Sequence, residues 1–153
     1  MFRRHPILSA VTFAYLGIVA WITLGPQPLG DGDDAWLWRI LGVFSRYDIT
    51  SWVTYQRVEF TANVLMFIPI GMFFLLLFGR RGWFASVLAG VALTCTIEFA
   101  QLFLPGRVSD ISDIIANSTG TAIGVIIALI VTARRAREIA RSRAASRPAL
   151  ARR

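Results

Sequence analysis

The 153-residue chain has no lysine, one cysteine and one histidine, and only 16% of its residues are charged. Each shortage excludes something. A single cysteine forms no intrachain disulfide and no cysteine-based zinc site. Cys95 falls inside an apolar run and reads as a small buried hydrophobe. The lone His5 stands near the start beside Arg3 and Arg4, so chemistry built on a histidine base in a buried pocket is not expected. An average soluble domain carries about a quarter charged residues. With 56% hydrophobic residues and a mean hydropathy of +0.59, a soluble domain of this size would lack the polar surface to cover itself. The net charge of +7 comes entirely from arginine. No helix-turn-helix, zinc-finger or RNA-recognition pattern accompanies it, so no nucleic-acid partner is expected.

What the chain does have is four apolar blocks, Ile7–Leu24, Phe60–Phe78, Trp83–Leu104 and Ile111–Thr132. Each is long enough for a helix crossing a hydrocarbon core of about 30 Å. In lipid the backbone must satisfy itself within the segment, so each block predicts a helix. The expected fold is all-α, a polytopic membrane protein of four spans. Arg3 and Arg4 followed by an apolar run resemble a signal peptide. The run is long for one and no A-x-A site follows, so the reading is an uncleaved first span.

Arginine placement orients the spans. Arg3 and Arg4 precede the first, Arg80 and Arg81 fill the tight Gly79–Gly82 turn, and eight arginines follow the fourth. These share one side, and most of the acids lie on the other. Both termini are therefore expected in the cytoplasm of a multi-pass cell-membrane protein. Residues 1–133 read as the membrane domain and 134–153 as a basic cytoplasmic tail. Span four is expected to continue into this tail as a helix, and its arginines would be attracted to anionic lipid. In the long connection Gly25–Glu59, residues Ala35–Phe44 carry apolar side chains at helical spacing. That predicts a short helix on the outer surface, with Trp52 and Tyr55 as further anchors.

The informative residues are polar ones inside the blocks. Thr94, Glu98 and Gln101 share one face of span three. Glu98 lies about 9 Å below the outer end, Asn63 about 5 Å deep in span two, and Asn117 about 9 Å deep in span four. Pro105 and Gly106 stop span three, and Ser109 or Asp110 is placed to cap span four. Asp110, Asp113 and Asn117 follow at i, i+3 and i+7, and the stripe continues as Gly120 and Gly124. That G-x-x-x-G pair permits close approach of a neighbouring helix, although by itself it specifies no oligomer. Pro69 predicts a kink in span two, relieved by neighbours that re-satisfy its carbonyls. A charged group in hydrocarbon costs at least about 2.5 kcal/mol, so Glu98 must be paired, protonated or open to water. Two readings follow. One is a buried network, with Glu98 paired to Arg107 and the amides holding helices together. The other is an outward-opening polar pocket.

The same residues carry a family pattern. Asn63-Val-Leu-Met-Phe67-Ile-Pro69-Ile-Gly71 resembles the N-x-x-x-F-x-P-x-G signature of the VanZ-like membrane family. The run Glu98-Phe-Ala-Gln101-Leu-Phe-Leu-Pro105-Gly106-Arg107, with Asp110, Asp113, Asn117, Gly120 and Gly124, is similar to its second stretch. The match covers about residues 60–130. The resemblance implies a link to low-level resistance to teicoplanin, a lipoglycopeptide acting at the outer face of the bacterial membrane. It implies importance, without a chemical role, for Asn63, Glu98, Gln101, Arg107, Asp110, Asp113 and Asn117.

Three functions fit these observations. A binding protein would hold the head group of a lipid-linked envelope molecule or a lipoglycopeptide, with Arg107 meeting a phosphate or carboxylate. It needs no cofactor. An enzyme acting on lipid-linked phosphate or glycan would use Glu98, Asp110 and Asp113 as catalytic candidates, with a divalent cation or with a proton on Glu98. No histidine and no convincing nucleophile supports it. A structural partner protein would use the same residues for stability alone.

Overall fold

The computed structural model describes residues 6–25, 53–105 and 109–145. Every regular element among them is helical. Helix α1 spans Pro6–Leu24 and α2 spans Tyr55–Phe78. A single 3-10 turn at Arg80–Gly82 leads to α3, Trp83–Gln101, and α4 spans Ile111–Ala145. All four helices are long and apolar enough to cross a membrane, so this is a multi-pass membrane protein. Large side chains such as Ile7, Trp21, Phe84, Phe99 and Ile126 are exposed. Faces of this kind are what a bilayer covers. Both the expected surface helix at 35–44 and Trp52 lie outside the described residues.

The helix ends depart from the apolar blocks for local reasons. Helix α2 begins at Tyr55, five residues before the block, because the Thr54 hydroxyl caps it by accepting from Arg57 N at 3.4 Å. The turn Tyr55–Glu59 is polar and helical, and hydropathy sees only its polarity. Helix α3 stops at Gln101, three residues short of Leu104. Phe103 N and Leu104 N then donate to Ala100 O and Gln101 O, tightening the last turn ahead of Pro105. Helix α4 continues through the expected extension to Ala145, in 35 residues. At 1.5 Å per residue that is about 52 Å, well beyond the hydrocarbon core. Alanine, arginine and glutamate, all good helix formers, sustain it. At the α2–α3 hairpin Gly79 adopts φ +79°, and its N–H donates to Leu75 O at 2.7 Å. A side chain is disfavoured at that φ.

Helix α4 packs chiefly on α2 and then on α3, while α1 lies against α2 and α3. One apolar cluster joins Val19, Phe67, Ile70 and Ile97 from the first three helices; a second joins Leu75, Val125 and Ala128 nearer the Gly79 end. The glycine stripe faces α2. A Cβ on Gly120 would run into Val64 O, and one on Gly124 into Ile68 O. The contact is reciprocal, because a Cβ on Gly71 would meet Thr121 O. Backbone thus lies on backbone, the close approach that small residues allow.

Pro69 sits inside a helix that is continuous from Tyr55 to Phe78. It supplies no N–H to Leu65 O and perturbs the turn around it. The Tyr15 hydroxyl of α1 donates to the next carbonyl, Met66 O, at 2.8 Å. A Tyr15→Phe chain is expected to lose about 1 kcal/mol, the usual worth of one hydrogen bond, with helical content unchanged. An unaltered unfolding midpoint would mean that Met66 O does not depend on Tyr15. Cys95 corrects the sequence reading: it is exposed and faces outward from the bundle. A lipid-facing helix surface is as apolar as the interior, so an apolar run does not say which way a small side chain points.

Candidate functional site

The polar residues converge where α1 and α3 end and α2 and α4 begin. Asp110 caps α4: its Oδ1 accepts from Ser112 N at 2.8 Å, and its carbonyl accepts from Asp113 N at 3.0 Å. Ser109, the other cap candidate, turns to α3 instead. Its hydroxyl donates to Glu98 Oε2 at 2.8 Å, and the Asp110 backbone N–H donates to the same oxygen at 2.9 Å. Glu98 is buried, 4% exposed. One carboxylate on α3 therefore takes up a backbone donor at the mouth of α4, where the helix dipole favours negative charge. The buried-network alternative paired Glu98 with Arg107, which lies outside the described residues.

One turn into α4, Asp113 Oδ1 accepts from Asn63 Nδ2 of α2 at 2.8 Å. A further turn in, Asn117 Nδ2 donates to Thr94 Oγ1 of α3 at 2.9 Å in the buried interior. The Thr121 hydroxyl donates to Asn117 O at 3.0 Å, and Gly90 on α3 leaves room for its side chain. At the end of α3, Gln101 Nε2 donates to Thr23 O at the end of α1, at 3.0 Å. The polar residues thus divide among three helix pairs. Glu98 and Asn117 tie α3 to α4, Asn63 ties α2 to α4, and Gln101 ties α3 to α1. Two buried acceptors, Gln101 Oε1 and Asn117 Oδ1, have no hydrogen-bond partner among the described residues. Such atoms are costly to bury, and a small polar guest or a water suits them.

Beside this network lies a cavity of about 510 Å³ between the first turns of α2 and α4. Its walls include Arg57, Glu59, Asp110 and Asp113. Glu98, Gln101 and Asn117 do not line it. The sequence reading placed all the polar companions around one chamber. The structure brings them to one corner in two layers, an inner set bonded helix to helix and an outer set facing the cavity. Asp113 belongs to both. Glu59 was missed as a wall residue because the apolar block begins one residue later, at Phe60. The signal was its spacing, one helical turn before Asn63 on the same face. Thr121 was missed because it sits inside the G-x-x-x-G pattern, although it follows Asn117 by four. Among the described residues, no group of three or more His, Cys, Asp or Glu side chains is arranged to hold a metal ion.

A model of the VanZ/LLP1 family matches residues 12–132, which take in α2, α3, most of α1 and the membrane part of α4. The chain belongs to the VanZ/LLP1 family. No curated protein and no solved structure matches it. The positions that carry the VanZ-like pattern now have physical occupations. Asn63 holds Asp113, Phe67 is fully buried in the first apolar cluster, and Gly71 lies on the α4 backbone. Glu98 holds the start of α4, and Gly120 and Gly124 seat that helix on α2. The match stops at residue 132, so the basic helical extension of α4 lies outside the family region.

Proposed function

We propose that this VanZ-like protein binds the head group of an amphiphilic envelope molecule, a lipid-linked precursor or a lipoglycopeptide, in the cavity between α2 and α4, and that it serves glycopeptide resistance or envelope maintenance. The observation that carries the reading is the cavity itself. It is of ligand size, and it is walled by ionisable side chains at one end of a membrane bundle, beside the buried carboxylate of Glu98. In this reading the inner network is the support. Glu98 sets where α4 begins, Asn63 holds Asp113, and together they place Asp110 and Asp113 in the wall.

The arginine-rich end, with Arg80, Arg81 and the α4 extension, faces the cytoplasm under the positive-inside rule, and its arginines meet anionic lipid. The cavity then opens on the outer leaflet, where a lipoglycopeptide acts. The test uses the purified full chain with teicoplanin and with a polyprenyl-phosphate-linked glycan as probes. A ligand at a hundredfold excess over its Kd stabilises by about 2.7 kcal/mol. A saturable rise in Tm of several degrees is therefore expected with at least one probe, weakened in Asp113→Asn. A flat Tm with both overturns the reading. So does labelling of Ser112→Cys (in a Cys95→Ser background) by an impermeant thiol reagent only after cells are lysed.

A further inference from the structure

The cavity has a neighbour. On the flank of α2 runs a groove of about 360 Å³ lined by Val53, Arg57, Val58, Thr61, Ala62 and Leu65. Its walls are almost wholly apolar. Arg57 and Thr61 line both spaces, so the two meet there. From Arg57 to Leu65 the groove descends eight residues, about 12 Å along the helix axis. It runs into the membrane part of α2, where Leu65 is 60% exposed and Val58 is 37% exposed. A polar chamber with an apolar channel beside it that runs on past it to Leu65 is the shape of one amphiphile, with its head at the α4 start and its chain along α2.

The charges select the head. Among the described residues, three carboxylates, Glu59, Asp110 and Asp113, face the cavity together with one guanidinium, Arg57. Glu98 lies close enough behind to act on Asp113. The carboxylates repel one another, and a cation among them relieves that repulsion; an anion adds to it. Arg57 stands where cavity and groove adjoin, two residues nearer the start of α2 than Glu59, so an anionic head drawn to it would still stand among the carboxylates. A protonated amine fits the polar chamber. It brings donors only, and the carboxylates supply acceptors only. Bilayer chains fill the groove whatever the head, so selectivity resides in the chamber and the groove sets where the chain lies.

We propose that cavity and groove form a single seat for a cationic amphiphile, an amine-bearing head among Glu59, Asp110 and Asp113 with its hydrocarbon chain along Val58, Ala62 and Leu65. This rests on the binding reading above and adds the charge class of the ligand and the path of its chain.

The test uses the full chain in nanodiscs of phosphatidylcholine, with a long-chain primary alkylamine carrying a diazirine near its chain end. Photolabelling is expected to concentrate on the peptide containing Val58–Leu65, and unlabelled alkylamine should compete. A chain-matched alkyl phosphate should compete at least tenfold more weakly. Ala62 is exposed on the groove side, so Ala62→Trp fills the groove without entering a helix contact. It should cut that labelling at least fivefold. Glu59→Gln should weaken the amine about fivefold while leaving the phosphate unweakened or somewhat stronger. Labelling spread evenly over the four helices, or undiminished in Ala62→Trp, overturns the chain path. Equal competition by the phosphate overturns the charge class. Either failure, alongside a Tm rise with teicoplanin or the lipid-linked glycan, leaves head-group binding standing and removes only this inference. Selective amine labelling with no response to those probes does the reverse.

Discussion

Gly124→Ala is expected to destabilise the protein by about 2–3 kcal/mol, although alanine is the better helix former by about 1 kcal/mol. The added Cβ would run into Ile68 O and lie 3.1 Å from Met72 N, both of them backbone. Backbone cannot swing aside as a side chain can, so α4 must move away from α2. That movement opens Gly120 on Val64 and Gly71 on Thr121 together, because all three glycines lie in one contact. Overpacking costs of 1–3 kcal/mol are usual where neighbours can adjust. Without a hydrophobic drive between helices in lipid, the lost packing has no replacement. The control is Gly17→Ala. A Cβ at Gly17 meets nothing within 4 Å, so this change should leave stability equal or slightly raised. Unfolding of both variants in mixed micelles, followed by circular dichroism, decides it. Equal midpoints for the two would show that the α2–α4 contact does not set the stability of the bundle.

That the glycine face of α4 points into the bundle follows from its spacing; that it meets α2 does not. Spans show in the sequence because lipid demands about twenty apolar residues with internal hydrogen bonds. The inward face of α4 shows because a polar residue at helical spacing is expensive anywhere else. Asp113, Asn117, Gly120 and Gly124 accordingly face inward as their spacing predicts, and the helices they meet are α2 and α3. The partners were harder to foresee. Glu98 and Gln101 bond to backbone groups, Asp110 N and Thr23 O. Every residue carries such groups, so side-chain chemistry points to none in particular. Charge alone directs attention from Glu98 to an arginine, whereas helix starts hold positive partial charge of their own and offer a carboxylate a second kind of partner. The outward direction of Cys95 and the early start of α2 share a cause. Both are decided by features that hydropathy does not weigh, an apolar solvent on the outer face and a cap at Thr54. The cavity walls contributed by Arg57 and Glu59 fell in that uncounted polar turn.

Glu98→Ala is expected to cost about 3 kcal/mol, while Glu98→Gln costs about 1. The carboxylate accepts two hydrogen bonds, from the Ser109 hydroxyl and from Asp110 N. Bonds to an ionised acceptor are worth about 1.5–3 kcal/mol each, and a donor left unpaired in a buried place costs a comparable amount. Alanine removes both bonds and leaves Asp110 N without its partner. Glutamine keeps an oxygen at the same reach and loses only the charge-assisted part. Neutral polar contacts between membrane helices average about 0.6 kcal/mol; a loss that small in Glu98→Ala would place Glu98 among them and remove its special part in starting α4. The consequence for the cavity separates support from contact. If Glu98 sets the first turn of α4, then in Glu98→Ala the amides of residues 110–114 should exchange hydrogen faster than those of α3, and the head-group response should fall with them. In Glu98→Gln both should persist. A Glu98→Gln chain that keeps slow exchange in that turn yet loses the response would instead put the Glu98 charge in direct contact with the ligand. The double variant Glu98→Ala with Ser109→Ala should lose less than the sum of the two single changes, since the pair shares one bond.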